Sequence, residues 1–410
     1  MQPASSPAAN PLPLAGLRVL DLSRALAGPF CAMILADLGA EVIKVEPTPK
    51  GEMIRGWGPF QEGESVYYLS IHRNKKSIAV NFRDPAGLDL LRELARDVDI
   101  VVENFKPGTM KDMGMEYAKL AAANPRLIFA SLTGFGSTGP YGAWPAVDQI
   151  AQGMSGLMSL TGQPGTGPTR VGIPIGDVVT GMWGAIGVLG AVIARDTTGR
   201  GQLVETSLLA GLIGLLTVQG QRQLSLGDTP GLAGNDHPVI CPYGVFQAAD
   251  GPFNVAATTD EMWVKLCGLL DMQEWIAHPE FKDNAGRMRN RPQVNARLNA
   301  KFATGNKMEW AHQLIALGLP AGPIYTMDQV FEDSHVRHNG LVQEVEHPTL
   351  GLLRQIANPI LMDSLRGNSV RTAPPVLGAD TRDVLASFGL SAERIAALEA
   401  AGTILPEVRS

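Results

Sequence analysis

Leu17–Glu46, LRVLDLSRALAGPFCAMILADLGAEVIKVE, decides the fold. Leu17–Leu22 is an apolar-rich run ending in an acid and reads as a strand. Ser23–Pro29 reads as a loop. Phe30–Leu38 is a helical run closed by Gly39 as its C-cap, and Glu41–Glu46 is the next strand. One β-α-β unit implies a parallel sheet with a right-handed crossover. The pattern continues with a strand at Ser77–Phe82 and a helix capped by Asp84 that runs through Arg96. Asp97–Glu103, DVDIVVE, reads as a further parallel strand, Tyr117–Ala123 as a helix and Leu127–Leu132 as another strand. The expected class is α/β. A dinucleotide site would need GxGxxG in the first loop, where only Gly28 stands, so NAD and FAD are not expected. Glu46, at the ribose position of such folds, then reads as a solvated strand end.

Val171–Arg195, VGIPIGDVVTGMWGAIGVLGAVIAR, poses the chemical question. Between Arg170 and Arg195 its one charged residue is Asp177, and an unpaired buried charge is costly. In one account Asp177 is the N-cap of the helix that follows, accepting from free N–H groups in a favourable dipole. In the other it is a reactive carboxylate in a dry site, a nucleophile or base. The helix Val178–Ala194 carries no charge but is shorter than the roughly twenty residues of a membrane span. It reads as the central helix of a soluble core. Gly181, Gly184, Gly187 and Gly190 recur every third residue. Each costs about 1 kcal/mol against Ala in a helix, so another backbone is expected to pack closely here.

A chain of 410 residues holds two or three domains, and 45% hydrophobic with 18% charged residues is a soluble globular composition. A net charge of −6 provides no global basic field for nucleic acid or acidic lipid. Cys31, Cys241 and Cys267 are far apart and read as neither a disulfide framework nor a zinc site, which fits a reducing, cytoplasmic setting. The start, MQPASSPAANPLPLAG, lacks the pattern of a secretory signal, and a disordered tail is expected over 1–14. No HExxH, GxSxG or Walker lysine loop is present, so no metal site and no phosphate loop are expected.

His72–Lys76, HRNKK, is a local basic spot that reads as a phosphate partner or, more blandly, as a solvated turn. Asn104–Gly108 follows the strand Asp97–Glu103 at the edge where open α/β sheets bind ligands. Thr133–Pro140 is a glycine-rich loop. Beyond Gln221 the character changes. Tyr243–Ala248 and Phe253–Ala257 form a hairpin around Asp250-Gly251, and Arg287–Lys301 reads as a basic helix with a solvated face. Residues 230–325 are expected to form a smaller α+β domain.

Together these stretches resemble class III CoA-transferases, the family of crotonobetainyl-CoA:carnitine and formyl-CoA:oxalate CoA-transferases. The resemblance spans about residues 14–390. It is carried by GLRVLDLSRALAGPF at 16–30, ADLGAEVIKVE at 36–46, YYLSIHRNKKSIAVN at 67–81, VVENFKPG at 101–108, LTGFGSTGPY at 132–141, DQIAQGMSGLMSLTG at 148–162 and GDVVTGMWGAIGVLGA at 176–191, with HNGLVQEVEHPTLG at 338–351. It implies a Rossmann-like large domain built from both chain ends, 15–225 and 345–410, joined by linkers near 205–230 and 325–345 to the smaller α+β domain, and a homodimer of interlocked rings. It implies that Asp177 is the catalytic nucleophile, exchanging CoA between carboxylic acids through mixed anhydrides and an aspartyl-CoA thioester. CoA is then a substrate, with no permanently bound cofactor. The resemblance places CoA contacts at Leu26 and Ala27, at Val80, Asn81, Phe82 and Arg83, and at Asn104, Phe105 and Lys106. Arg24 and Arg73 join them as phosphate partners on charge alone. Some relatives carry arginine where Pro47 and Asp112 stand here, and Lys111 is the substitute expected for the second. The segments at 67–81 and 338–351 look most like glutarate-type members, which implies a succinyl-CoA-like donor and a short dicarboxylate acceptor. The similar α-methylacyl-CoA racemases pair the aspartate with a histidine where Val147 stands, which leaves one acid/base group missing for that reaction. A CoA-binding module without turnover is the alternative from another class. The Arg287–Lys301 helix is a further candidate to face acceptor carboxylates.

Overall fold

The computed structural model describes residues 11–365 and 367–405. Of the tail expected over 1–14, residues 1–10 lie outside the described residues. Beyond them, Leu14 is buried in the core and donates from its N–H to Leu38 O at 2.9 Å.

The chain divides into two compact units. The first takes the residues up to Leu157, Val171–Leu226 and everything from Ser334 onward; the second takes Met158–Arg170 and Gly227–Asp333. The segment 158–170 therefore leaves the large domain expected over 15–225. It does so through its backbone, with Gly234 N donating to Gly162 O at 3.1 Å.

The first unit is built on six strands: β1 (Arg18–Asp21), β2 (Glu41–Pro47), β3 (Lys75–Val80), β4 (Ile100–Glu103), β5 (Ile128–Thr133) and β6 (Leu203–Ser207). Their order across the sheet is β3-β2-β1-β4-β5-β6, and every neighbouring pair is parallel. This is the doubly wound order, which reverses between β1 and β4 and opens a crevice at their carboxyl ends. β1, β4 and β5 read as continuous apolar runs because both sheet faces are covered. One face packs in the cluster of Val19, Val42, Ile100 and Ile128, the other in that of Leu20, Ile43, Val101 and Phe129.

The helix α1 (Ala27–Asp37) begins three residues before the expected Phe30. Pro29 is tolerated there because the first turn of a helix has no N–H partner to lose. Gly39, with φ +107°, ends the helix as expected. The short helix α2 (Val66–Leu69) precedes β3, and α3 (Pro85–Leu94) is capped by Asp84, whose carboxylate accepts from Ala86 N at 3.1 Å. The helix α4 (Thr109–Asp112) follows β4, and α5 (Tyr117–Ala123) precedes β5.

The helix α6 (Asp148–Met154) precedes the long α7 (Ile175–Thr198), which lies against α1. A Cβ at Gly181 would stand 2.7 Å from Ala27 O and 3.1 Å from Cys31 N, at Gly184 2.9 Å from Leu132, and at Gly187 2.5 Å from Val204. Three of the four glycines thus admit a close neighbour, the first a backbone; Gly190 meets nothing within 4 Å. By length and composition alone α7 also reaches a membrane span. Beyond β6 come α8 (Leu208–Gly214) and α9 (Thr217–Leu226).

The second unit holds the expected hairpin, β7 (Tyr243–Ala248) against β8 (Gly251–Ala256). The basic helix expected over Arg287–Lys301 is broken into α10 (Asn284–Arg289) and α11 (Arg291–Phe302), with Pro292 opening the second. Arg287 is fully buried, held by Cys241 O at 2.7 Å, Phe281 O at 3.1 Å and the Asp260 carboxylate at 2.6 Å. That residue braces the unit's core and presents nothing to an acceptor. Back in the first unit, Val342–His347 pairs antiparallel with Gly351–Ile356 as a second hairpin.

Candidate active site

The carboxyl ends of β1 and β4 meet as a clasp. Arg24 N donates to Asn104 Oδ1 at 2.7 Å, and Asn104 Nδ2 donates back to Arg24 O at 2.7 Å. Two of the loops expected to hold CoA are therefore locked together at the switch point of the sheet. Between them and α1, Ala25 takes φ +59°, and its N–H donates to Glu52 Oε1 at 3.3 Å. Burial pushes the Glu52 carboxyl upward.

Leu26 and Ala27 are buried, and Leu26 shares a small apolar cluster with Ile54, Tyr68 and Ile71, against which Tyr67 and Val178 pack. Val178 follows Asp177, so the first loop and the start of α7 belong to one packed region. Arg24, Lys106 and Lys111 are exposed. Phe82 and Phe105 pack against one apolar cluster on the same side of the sheet. Val80 is the buried last residue of β3, Asn81 N donates to Thr403 O at 2.7 Å, and Arg83 is exposed beyond them.

Arg73 stands apart, which corrects its expected role. It is buried, with Nη2 2.6 Å and Nε 3.0 Å from the two carboxylate oxygens of Asp37, so no open face remains for a phosphate. The rest of the basic spot is no solvated turn either. Lys75 is buried on Asp21 at 2.9 Å and on Pro29 O at 2.8 Å, while Lys76 pairs with Glu41 at 2.7 Å. Glu46, expected in solvent, is fully buried. It accepts from Arg55 at 2.6 and 2.7 Å, Ser77 at 2.6 Å, Tyr68 at 3.1 Å and Glu52 N at 3.0 Å. Arg55 above all holds the Glu46 carboxyl below its usual range against the opposing pull of burial.

Asp177 lies in the first turn of α7, not at its cap. Pro174 occupies the cap position and the helix begins at Ile175. The capping hydrogen bond comes from another element: Asp148 Oδ1, on α6, accepts from Gly176 N at 2.7 Å. A Cβ on Gly176 would stand 2.9 Å from that oxygen, so glycine is what lets Asp148 reach the helix start. The cap account of Asp177 therefore fails, because its geometric role is filled from 29 residues upstream.

Asp177 is partly buried. Burial first, and then the nearby Asp148 carboxylate, push its carboxyl up to about 7. No basic side chain offsets this among the described residues. The Tyr67 hydroxyl faces the same pair: burial, Asp177 and Asp148 all raise it. The sequence reading assigned no role to Tyr67, Asp148 or Gln152. The i, i+4 spacing of Asp148 and Gln152 on a short helix was the available signal.

A carboxylate at a helix start, near neutrality in its titration and lodged in an apolar neighbourhood, has the properties of a covalent nucleophile. Most N–H groups of this first turn are already engaged: Ile175 N by Ile173 O, Gly176 N by Asp148 and Val178 N by Pro174 O. Among the described residues no three His, Cys, Asp or Glu side chains are grouped to hold a metal ion.

The model for CoA-transferase family III matches residues 14–381. The succinyl-CoA:glutarate CoA-transferase of Mus musculus is 38% identical over 374 residues, covering 91% of this chain and 86% of its own. The succinate–glutarate CoA-transferase of Agrobacterium fabrum (strain C58) is 35% identical, covering 92% of this chain and 96% of its own. Among solved structures, a CaiB/BaiF family protein from Brucella suis superposes with a TM-score of 0.83 at 35% identity, over 92% of this chain and 100% of that one. Matches of this extent, running through β1, the Arg24–Asn104 clasp and Asp177 alike, establish that the chain belongs to CoA-transferase family III.

Proposed function

We propose that this CoA-transferase moves CoA from a succinyl-CoA-like donor to a short dicarboxylate, with Asp177 as the nucleophile. The observation that carries the reading is the Asp177 carboxyl itself, raised to about 7 at the start of α7. Two named relatives support the substrate class, one acting on succinyl-CoA and glutarate and another on succinyl-CoA and D-citramalate.

In the first step an Asp177 oxygen attacks the donor thioester carbon, and the CoA thiolate leaves. The product is a mixed anhydride of Asp177 and the donor acid. The thiolate then attacks the Asp177 acyl carbon, releasing the donor acid and leaving an aspartyl-CoA thioester. The acceptor carboxylate attacks that thioester, expelling the thiolate and forming a second anhydride. Attack of the thiolate on the acceptor's acyl carbon frees Asp177. The exchange is near isoenergetic and consumes no ATP. Its anhydrides hydrolyse where water enters, so the apolar packing of Leu26, Ile54 and Val178 serves the chemistry. No permanently bound cofactor or metal is required.

Arg24, Lys106 and Arg83 are exposed cations on the loops at the carboxyl side of the sheet, and Lys111 is exposed on α4 just beyond. They are assigned to the phosphates of CoA, with Leu26, Ala27, Val80, Asn81, Phe82, Asn104 and Phe105 lining the approach. The racemase alternative would require a proton-transfer side chain at Val147, which is an apolar residue 64% exposed at the cap of α6.

The active form is assigned as a homodimer. Met182, Trp183, Ile186 and Ile193 of α7, with Val218 and Leu224 of α9, are exposed apolar side chains, and a second copy of the chain would cover them. The three cysteines are free and buried, which supports a reducing, cytoplasmic setting.

Intact mass after incubation with succinyl-CoA, beside an Asp177→Ala variant, tests the mechanism. A CoA-sized adduct on the wild type, removed by hydroxylamine and absent from the variant, is expected. No adduct across a range of thioesters would overturn the covalent mechanism, and a preference for carnitine over all dicarboxylates would overturn the acceptor class.

A further inference from the structure

Gln152 is fully buried on α6 and spends both ends of its carboxamide. Its Nε2 donates to Asp148 Oδ2 at 2.7 Å, and its Oε1 accepts from Val171 N at 2.9 Å. The other oxygen of Asp148 takes Gly176 N. On the far side of the same peptide segment, Gly176 O accepts from the Thr180 hydroxyl at 2.7 Å. The strand entering α7 is thus held at Val171 by Gln152, and the residue before Asp177 is held on its N–H by Asp148 and on its carbonyl by Thr180.

We propose that Gln152 is a positioning residue for acyl transfer: through Asp148 and Val171 it fixes the start of α7 and hence the attack line of the Asp177 carboxylate. The proposal rests on Asp177 being the nucleophile. A side chain here must donate to a carboxylate and accept from an amide at once. Glutamine does both at every pH. A glutamic acid does both only while protonated, because its ionised form has acceptors alone and would face the Asp148 oxygen with like charge.

The groups facing this position are few. Asp148 lies on its own helix, Asp177 at the start of α7, and the Tyr67 hydroxyl near both carboxylates. The helix α8 packs on the other side of α6 and carries no titratable side chain.

The test is the pH profile of Gln152→Glu against wild type, with Gln152→Met as the uncharged control. CoA transfer from succinyl-CoA is followed from about pH 5 to about pH 8.5. The ratio of kcat for Gln152→Glu to wild type is expected to fall about tenfold to a hundredfold as pH rises. The KM for the CoA thioester should change little, since the loops of Arg24 and Asn104 are untouched. For Gln152→Met the ratio should be low and flat with pH. Thermal unfolding of all three proteins separates this from loss of fold, because a merely structural role would lower the folded fraction without a titrating kcat ratio. If Gln152→Glu, folded, tracks wild type at every pH, the proposal is overturned while the nucleophile stands. If the wild type itself forms no CoA adduct, the reading of Asp177 falls and the proposal with it.

Discussion

Asp177→Asn removes a charge from a place that resists it, and the folded chain should become more stable as its activity disappears. The Asp177 carboxyl is raised from the ordinary 3.8 to about 7, by burial and by Asp148. Below the ordinary value the group is protonated in both states, and its full contribution to stability is present. As pH rises the unfolded chain ionises first, and that contribution is lost until the pH passes about 7. Each pH unit between the two values is worth about 1.4 kcal/mol, so at pH 8 the wild type gives up about 4 kcal/mol. An anion in a first helical turn recovers up to ~1 kcal/mol from the helix dipole, which leaves about 3 kcal/mol for Asn to regain. The pH increment is the cleaner quantity, because any packing change is the same at both ends. From pH 5 to pH 8 the stability of Asp177→Asn relative to wild type should grow by about 2.5 kcal/mol. Urea unfolding of both proteins at each pH measures this, and the shifts of every other carboxylate cancel in the difference. An increment under about 1 kcal/mol, or one of opposite sign, would refute the buried, unpaired carboxylate at the base of the mechanism.

Two further substitutions test the packing around α7. Gly181→Ala places a methyl against Ala27 O and Cys31 N; it should lower stability by about 1–3 kcal/mol in denaturant melts, and a neutral result would contradict the close α1–α7 approach. Ile193→Asp alters a side chain 71% exposed in the single chain. It is expected to shift the mass measured by light scattering from dimer toward monomer or aggregate, whereas an unchanged dimer would exclude this face of α7 from the interface.

What the sequence showed of the fold, and what it hid, divides by the range of the interactions. β1, β4 and β5 were legible because buried parallel strands announce themselves as unbroken apolar runs, and the Asp250-Gly251 turn announced the hairpin of the second unit. The glycine period of α7 correctly implied a close neighbour at Gly181. Charge was misread wherever its partner was remote. Arg73 and Glu46 looked solvated because nothing adjacent shows that Asp37 lies 36 residues before the one, or that Arg55 and Ser77 converge on the other. Asp177 could be read as a cap for the same reason: the true acceptor at that helix start, Asp148, lies on a different helix. Arg287 sat in a run of basic residues whose average is exposed, while its own side chain crosses the core of its unit to Asp260. Local pattern gives burial of apolar faces; it does not give the pairing of charges.

Remote pairs of the same kind explain how the loop between β1 and α1 is held in place. The loop between β1 and α1 is anchored from beneath by two buried lysines. Lys44 donates to Ser23 O at its start, and Lys75 donates to Pro29 O just past its end. Both cations share the Asp21 carboxylate, at 3.9 and 2.9 Å, and Asp21 in turn accepts from Ser23 N at 3.0 Å. Opposed by burial, the two lysines nonetheless hold the Asp21 carboxyl below its usual range. Replacing a buried ion cluster by apolar residues of like volume is often neutral or stabilising, so these charges are poorly explained as devices for stability. They are well explained as devices for geometry. An apolar side chain cannot bind a loop carbonyl, whereas Lys44 and Lys75 each fix one. With Asn104 and Glu52 holding the backbone of Arg24 and Ala25, side chains from remote parts of the chain converge on the loop. The chain therefore sets the position of Leu26 by five separated residues rather than by a glycine fingerprint.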